Sequence, residues 1–340
     1  MIDRVSSQSS PMMLRDTAMS LQRALARANS EVGSGRHADL AETLGSGLSR
    51  AAQAHVRAAS LDSLHAQDDA AGARVDVLTA NLSHLRGLTK DLRDQFVAAA
   101  QAPQARVGLI EAAKGFLSTF FDAMNGEVAG VALFGGEKLE SPVLQDYASG
   151  PSNAIAAAFQ ATFGGRDVAM ITADEMSAFL DGPLADQFSP ASWAANWSNA
   201  TDFGFQSQIA PGETAATTAS ANEQAFRDMA RVAVMAVEIG ADNLNDAAFT
   251  ALATRAASIA SAAIDSATVL EARMGVSRRR ISDAQVAMSE TRDLLMRQIG
   301  AMEDVDPAQA ATRVNDITAR LEATFAITVR MRDLSLLKYL

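Results

Sequence analysis

His37, His55, His65 and His84 are the side chains best suited to proton transfer or metal binding in this 340-residue chain, and all four lie in its first quarter. No two are separated by three or four residues, the spacing that sets a pair of imidazoles on one side of a helix for a shared metal ion. Cysteine is absent, which removes thiolate catalysis, disulfides and Cys-based zinc sites together. Gly135-Gly136-Glu137-Lys138 places a glycine pair before a lysine, without the upstream glycine or the Ser/Thr-helix context of a phosphate loop, and reads as a turn. The carboxylate pairs Asp68-Asp69, Asp174-Glu175 and Glu303-Asp304 fall at expected helix starts or polar helix faces, where acids ordinarily lie. No Gly-x-Ser-x-Gly elbow occurs. These residues predict no catalytic site, no cofactor and no metal, and the histidines are expected on solvated helix faces.

The remaining chemistry is cationic. Arg278, Arg279 and Arg280 could grip the carboxylates of a neighbouring subunit. Successive helix positions point about 100° apart, so the three cannot form one narrow patch, and a solvated helix face explains them too. The chain carries 29 Lys+Arg against 40 Asp+Glu, a net charge of -11, which argues against a dedicated nucleic-acid or anionic-membrane partner. The longest uncharged stretch, Tyr147 to Gly165, is interrupted by Gly150 and Pro151 and predicts no membrane span. The charged N-terminal residues leave no apolar block for a cleaved signal peptide.

Positioning falls to helices. Aromatics make up 5% of residues and alanine is abundant, as in long, closely packed helices. Leu14, Ala18, Leu21, Leu25, Ala28 and Val32 keep the alternating four-and-three spacing of a heptad seam that ends at Gly33-Ser34-Gly35. A second seam, Ala71, Val75, Leu78, Leu82, Leu85, Thr89, Leu92, Phe96 and Ala99, predicts a helix over about 44–101, on the order of 80 Å long at about 1.5 Å per residue. Another helix is expected over 106–125. After it, Val131 to Phe134 could form a strand closed by Gly135-Gly136. Residues 139–217 hold five of the eight prolines and both tryptophans, and predict a compact domain of short elements. Within it, Thr172-Ala173-Asp174-Glu175 reads as a capping box, and Pro211-Gly212 as the turn of a hairpin. Ser220-Ala221-Asn222-Glu223 reads as a second capping box opening helices that run to about Met302, broken near 240–246. Asp306-Pro307 caps and starts a last helix with Val314, Ile317, Leu321 and Phe325 on one face, expected to continue to Leu340.

The closing segment, from Asp304-Val305-Asp306-Pro307 to Leu334-Ser335-Leu336-Leu337-Lys338-Tyr339-Leu340, resembles the C-terminus of the bacterial flagellin superfamily. Its Ser-Leu-Leu-x-Tyr-Leu ending is most similar to the hook-filament junction branch, the third class of hook-associated protein. Leu270 to Ile281 resembles the family's entry into its last long helix, Leu21 to Arg36 its first helix, and Val131-Ala132-Leu133-Phe134-Gly135-Gly136 a short junction-branch motif. After Arg36 the chain departs from the family, with His37-Ala38-Asp39-Leu40-Ala41-Glu42 where an Asn-containing run ending Asp-Asp-Pro-Ala-Gly is usual.

The resemblance implies a non-enzymatic, extracellular structural part of the bacterial flagellum, exported by the flagellar type III apparatus without a cleaved signal. Its implied partners are identical subunits in a ring, another hook-associated protein, flagellin, and an export chaperone on the C-terminal helix. The expected fold is mainly α: a long antiparallel helical rod from the N- and C-terminal segments, with a small inserted middle domain and one or two β-hairpins. Residues 1–35 and 304–340 would form a polymerisation coiled coil, 36–138 and 218–303 the rod, and 139–217 the acidic variable domain. The assembly seam would be Leu14, Leu21, Leu25, Val32, Val314, Ile317, Leu321 and Phe325, with Arg278, Arg279 and Arg280 at an inter-subunit contact. An intramolecular helix pair accounts for the same heptads. Two other functions fit in part: a minor filament flagellin, and a cytoplasmic coiled-coil signalling adaptor. An enzyme housed in 139–217 is disfavoured, since that stretch has no His, Lys or Cys.

Overall fold

A computed structural model describes residues 6–140 and 142–336. The fold is mainly α, with α1 (Ser6–Ser34), α2 (Leu40–Leu44), α3 (Leu48–Gln101), α4 (Arg106–Met124), α5 (Pro151–Phe163), α6 (Ala173–Asp181), α7 (Pro183–Gln187), α8 (Pro190–Asn196), α9 (Gln224–Val237), α10 (Asp246–Glu303) and α11 (Pro307–Leu336). Two antiparallel hairpins complete it: β1 (Glu127–Val128) with β2 (Val131–Ala132), and β3 (Gln206–Ala210) with β4 (Glu213–Ala216). The chain divides into two compact units, Met1–Asp62 with Ser289–Leu340 and Ser63–Met288.

In the larger unit the α3 heptad seam is the core. Ala71, Val75, Leu78, Leu82, Leu85, Thr89, Leu92, Phe96 and Ala99 are all buried, in one continuous cluster with Leu109, Phe116 and Phe120 of α4 and Phe249, Leu252 and Ala256 of α10. α10 runs antiparallel to α3: Arg278 Nε donates to Asp76 Oδ1 at 2.9 Å and Gln285 Nε2 to Asp69 Oδ1 at 2.8 Å, one heptad further along both helices. By length and composition α10 could cross a membrane, but the residues that make it apolar, among them Phe249, Leu252, Ala256, Ala260, Ala263 and Ala267, are buried in this core.

Residues 139–217 do not form the separate domain their composition predicts. Trp193 and Trp197 stack at 4.6 Å between ring centroids and 11° between planes, and they belong to the same cluster as Phe134, Phe226 and the α3 seam. Every residue of α9 from Ala225 to Ala236 is buried, because short elements of this segment wrap it opposite α4 and α10. Even Arg227, Asp228 and Arg231 are covered, with the Arg231 guanidinium donating to Leu180 O.

Local signals fare unevenly. The Thr172 capping box forms in full: its hydroxyl accepts from Glu175 N and the Glu175 carboxylate accepts from Thr172 N. The hairpin around Pro211-Gly212 also forms, with Gly212 at φ 83°. The expected strand Val131–Phe134 shortens to two residues. The second capping box does not form. Gly135 and Ser220 make a backbone bridge, Ser220 Oγ donates to Thr201 O, and α9 begins later, at Gln224, without a side-chain cap. Gly136 is needed in that junction, since it has φ 70° and a Cβ there would strike Thr201 and Phe203.

Candidate assembly surface

The smaller unit is built on the pairing of α1 with α11. Asp306 Oδ1 accepts from Ala308 N at 2.8 Å and Pro307 occupies the first turn, so the cap expected from Asp306-Pro307 starts α11. The two helices are antiparallel, held at one end by Arg313 Nη1 to Glu31 Oε2 at 3.2 Å and by Val305 N to Gly35 O at 2.9 Å. On α1 the half-buried and buried positions include Leu14, Ala18, Leu21, Leu25 and Ala28, and on α11 Ala310, Val314, Ile317, Leu321 and Thr324, with Ala24 and Thr318 half-buried beside them. Both runs keep heptad spacing.

Two predicted seam residues lie elsewhere. Val32 is 48% exposed, because Glu31 takes the inward position, where its carboxylate meets Arg313 and accepts from Ala38 N at 3.2 Å. Phe325 is 46% exposed, and Thr324, its hydroxyl donating to Arg320 O, faces inward instead. The step of three that follows Leu321 in a heptad lands on Thr324, and Phe325 is the next position round the helix. Phe325 then joins Ile327, Val329 and Met331, all exposed on α11, while Met12, Met13 and Met19 are exposed on α1. The pair thus buries one narrow seam and leaves large apolar side chains on its outer surfaces. Of the closing motif, Leu337, Lys338, Tyr339 and Leu340 lie outside the described residues.

Two of the acids placed on polar faces are buried. Glu303 is 2% exposed, with its Oε1 2.7 Å from His55 Nε2 and its Oε2 3.4 Å from Arg36 Nη1. Glu31, next to His37 Nδ1 at 3.9 Å, lines a cavity of about 350 Å3 with Arg27, Asp39, Arg313 and Ile317. His55, on α3, and His37, between α1 and α2, therefore each lie against a buried carboxylate, and His84 is an exposed helix-face residue. A histidine held by a buried carboxylate is half of a proton-transfer relay, but among the described residues no hydroxyl is hydrogen-bonded to His55. In the larger unit Asp68 is completely buried and neither carboxylate oxygen has a hydrogen-bond partner. Burial, with a smaller push from Asp69 and against the pull of His65, raises its pKa to about 6.

Of the three arginines, Arg278 is spent within the chain: it pairs with Asp76 and lies over Gly72, where a Cβ would sit 3.4 Å from its guanidinium. Arg279 and Arg280 are exposed, with no ion pair among the described residues. No group of His, Asp or Glu among the described residues could hold a metal ion.

Long helices paired along a thin seam, with large apolar side chains exposed on their outer surfaces and charged groups spent on ion pairs, are the architecture of a helical structural protein. The comparisons agree with that class. Residues 5–139 match the bacterial flagellin N-terminal helical region and residues 257–340 the bacterial flagellin C-terminal helical region, together well over half of the chain. A solved structure from Vibrio parahaemolyticus, of a protein assigned as flagellar hook-associated, is similar in fold. Its TM-score is 0.54 at 11% identity, covering 77% of this chain and 99% of that one. A comparison with curated proteins finds no match. The chain belongs to the bacterial flagellin family, whose members are structural proteins of the extracellular flagellum that assemble with themselves and with other flagellar proteins.

Proposed function

We propose that this protein is the adaptor at the junction between flagellar hook and filament, a ring layer of identical subunits between another hook-associated protein and flagellin. The observation that carries the reading is the outer surface of the α1–α11 pair. Phe325, Ile327, Val329 and Met331 are exposed on α11, and Met12, Met13 and Met19 are likewise exposed on α1. A thirty-residue amphipathic helix that buries only a narrow seam recovers little of its ordering entropy until neighbours cover the rest. The Ser335-to-Leu340 ending favours the junction branch over a minor filament flagellin.

On this reading Leu14, Leu21, Leu25, Val314, Ile317 and Leu321 hold the pair together, while Val32 and Phe325 face neighbouring subunits. Before export through the type III apparatus, without a cleaved signal, the outer face of α11 is covered by a cytoplasmic chaperone. Catalysis has no part in this role, and neither nucleic acid nor membrane is a partner. Deleting Val314 to Leu340 is expected to leave a soluble, exportable protein that cannot support filament attachment. Normal filaments on cells carrying only the truncated chain contradict the proposal.

A further inference from the structure

The larger unit carries two exposed surfaces, and they are complementary. The first is a cleft of about 610 Å3 between α4, the loop 142–147 and the end of α9. Its floor is apolar: Leu117 and Leu144 are buried there beside the rings of Phe121 and Tyr147, whose centroids are 5.6 Å apart. Tyr147 is fixed from behind by its hydroxyl, which donates to Glu238 Oε1 at 2.7 Å. The rim is acidic. Asp122 and Asp146 are exposed without an ion pair among the described residues, and Lys114 on the same rim is held by Glu111 at 2.8 Å. Nine of the chain's acids and a single arginine lie in 139–217, so the wider surroundings repel anions and attract cations.

The second surface is the outward side of α10. Val269, Ala272, Val276, Arg279, Asp283 and Val286 recur at alternating three- and four-residue steps and are all exposed. They form an exposed heptad stripe, and Arg280 stands beside it as a second cation without an ion pair among the described residues. Valine knobs flanked by two guanidinium groups without ion pairs match an apolar floor flanked by two carboxylates without ion pairs, Asp146 accepting from Ser149 N at 3.1 Å within its own loop. Because the two surfaces are different patches of one chain, their contact is head-to-tail and repeats from copy to copy, as a ring or helical layer requires.

We propose that the cleft over Phe121 and Tyr147 receives the Val276–Arg280 face of α10 from a second copy of this chain, with Asp122 and Asp146 pairing Arg279 and Arg280. The inference rests on the structural-subunit reading above and names the surface that joins its subunits.

The absence of native cysteine makes the test clean. Cells whose only copy carries both Ser118→Cys, at the cleft rim, and Val276→Cys are expected to yield flagella in which oxidation links this chain into a ladder of dimers and higher multimers. Neither single variant should give more than dimers. Reversing Arg279→Glu with Arg280→Glu is expected to lower incorporation about tenfold, and adding Asp122→Lys with Asp146→Lys to restore most of it. All six positions are exposed, and circular dichroism of the purified variants checks that the fold is kept. A chain that is incorporated without laddering and is indifferent to the charge reversals overturns this contact and leaves the structural reading standing. A chain absent from sheared flagella overturns both.

Discussion

Asp68 is the residue whose behaviour departs furthest from its appearance in the sequence. As one of a pair of acids on a long helix it reads as solvated, yet it is fully buried in the α3 seam with no hydrogen-bond donor. Its proton is held more tightly in the folded than in the unfolded chain, since burial lifts the pKa from 3.8 to about 6. The stability this group contributes is therefore fully present below about pH 4 and is lost as the pH rises through about 6. Asp68→Asn is expected to abolish that step and to stabilise the larger unit by about 1–2 kcal/mol at pH 7. Thermal unfolding of both proteins between pH 4 and pH 8 checks it; parallel pH profiles contradict it. The heptad spacing of the seam, stepped back three residues from Ala71, falls on Asp68, but a carboxylate there reads as the place where the seam stops. Glu303 was equally illegible: its burial depends on His55 and Arg36, which reach it from far along the chain.

At the scale of elements the sequence is more informative. The α3 seam could be read residue by residue, as could the Thr172 box, the Asp306-Pro307 start and the Pro211-Gly212 turn, because each depends on neighbours within a few positions. The Ser220 box has the same local pattern and fails, since Ser220 is drawn into a bridge with Gly135 that no short-range signal encodes. At Val32 and Phe325 periodicity finds the face of a helix but not which of two adjacent positions closes the intramolecular pair. That distinction has consequences for α11. Ile317→Ala, on the inward side, is expected to destabilise the α1–α11 pair by about 1–3 kcal/mol, less than in a full core because the site is only half-buried. Phe325→Ala and Ile327→Ala, on the outer side, should leave monomer unfolding within about 0.5 kcal/mol of the parent yet impair incorporation into flagella. Denaturant unfolding together with immunoblots of sheared flagella separates the two classes; identical behaviour of inward and outward variants contradicts the assignment.

For the whole molecule, the units differ in how they are held. The larger has one continuous apolar core, reaching from Ala71 to Ala284, which includes both tryptophans and the apolar residues of α9 from Ala225 to Ala236. The smaller relies on a single helix seam and on ion pairs such as Arg27–Glu42, which is exposed and adds little. Amides of α1 and α11 are therefore expected to exchange with solvent far faster in the monomer than those of α9 and the 71–99 part of α3, and to become protected on assembly. Equal protection in the monomer contradicts this. The charge follows the same division of labour: residues 1–40 carry a net +1 and 304–340 a net zero, while 139–217 carry -8. Ends that crowd against copies of themselves are near neutral, and the acidity is kept on the larger unit. Proline and tryptophan density in 139–217 marks short elements, and their apolar residues join the core of the larger unit. The central claim, a subunit of the hook-filament junction, concerns place. Immunogold labelling of intact flagella with an antibody to residues 139–217 should mark one band at the distal end of the hook; label running along the filament, or none on the appendage, contradicts it.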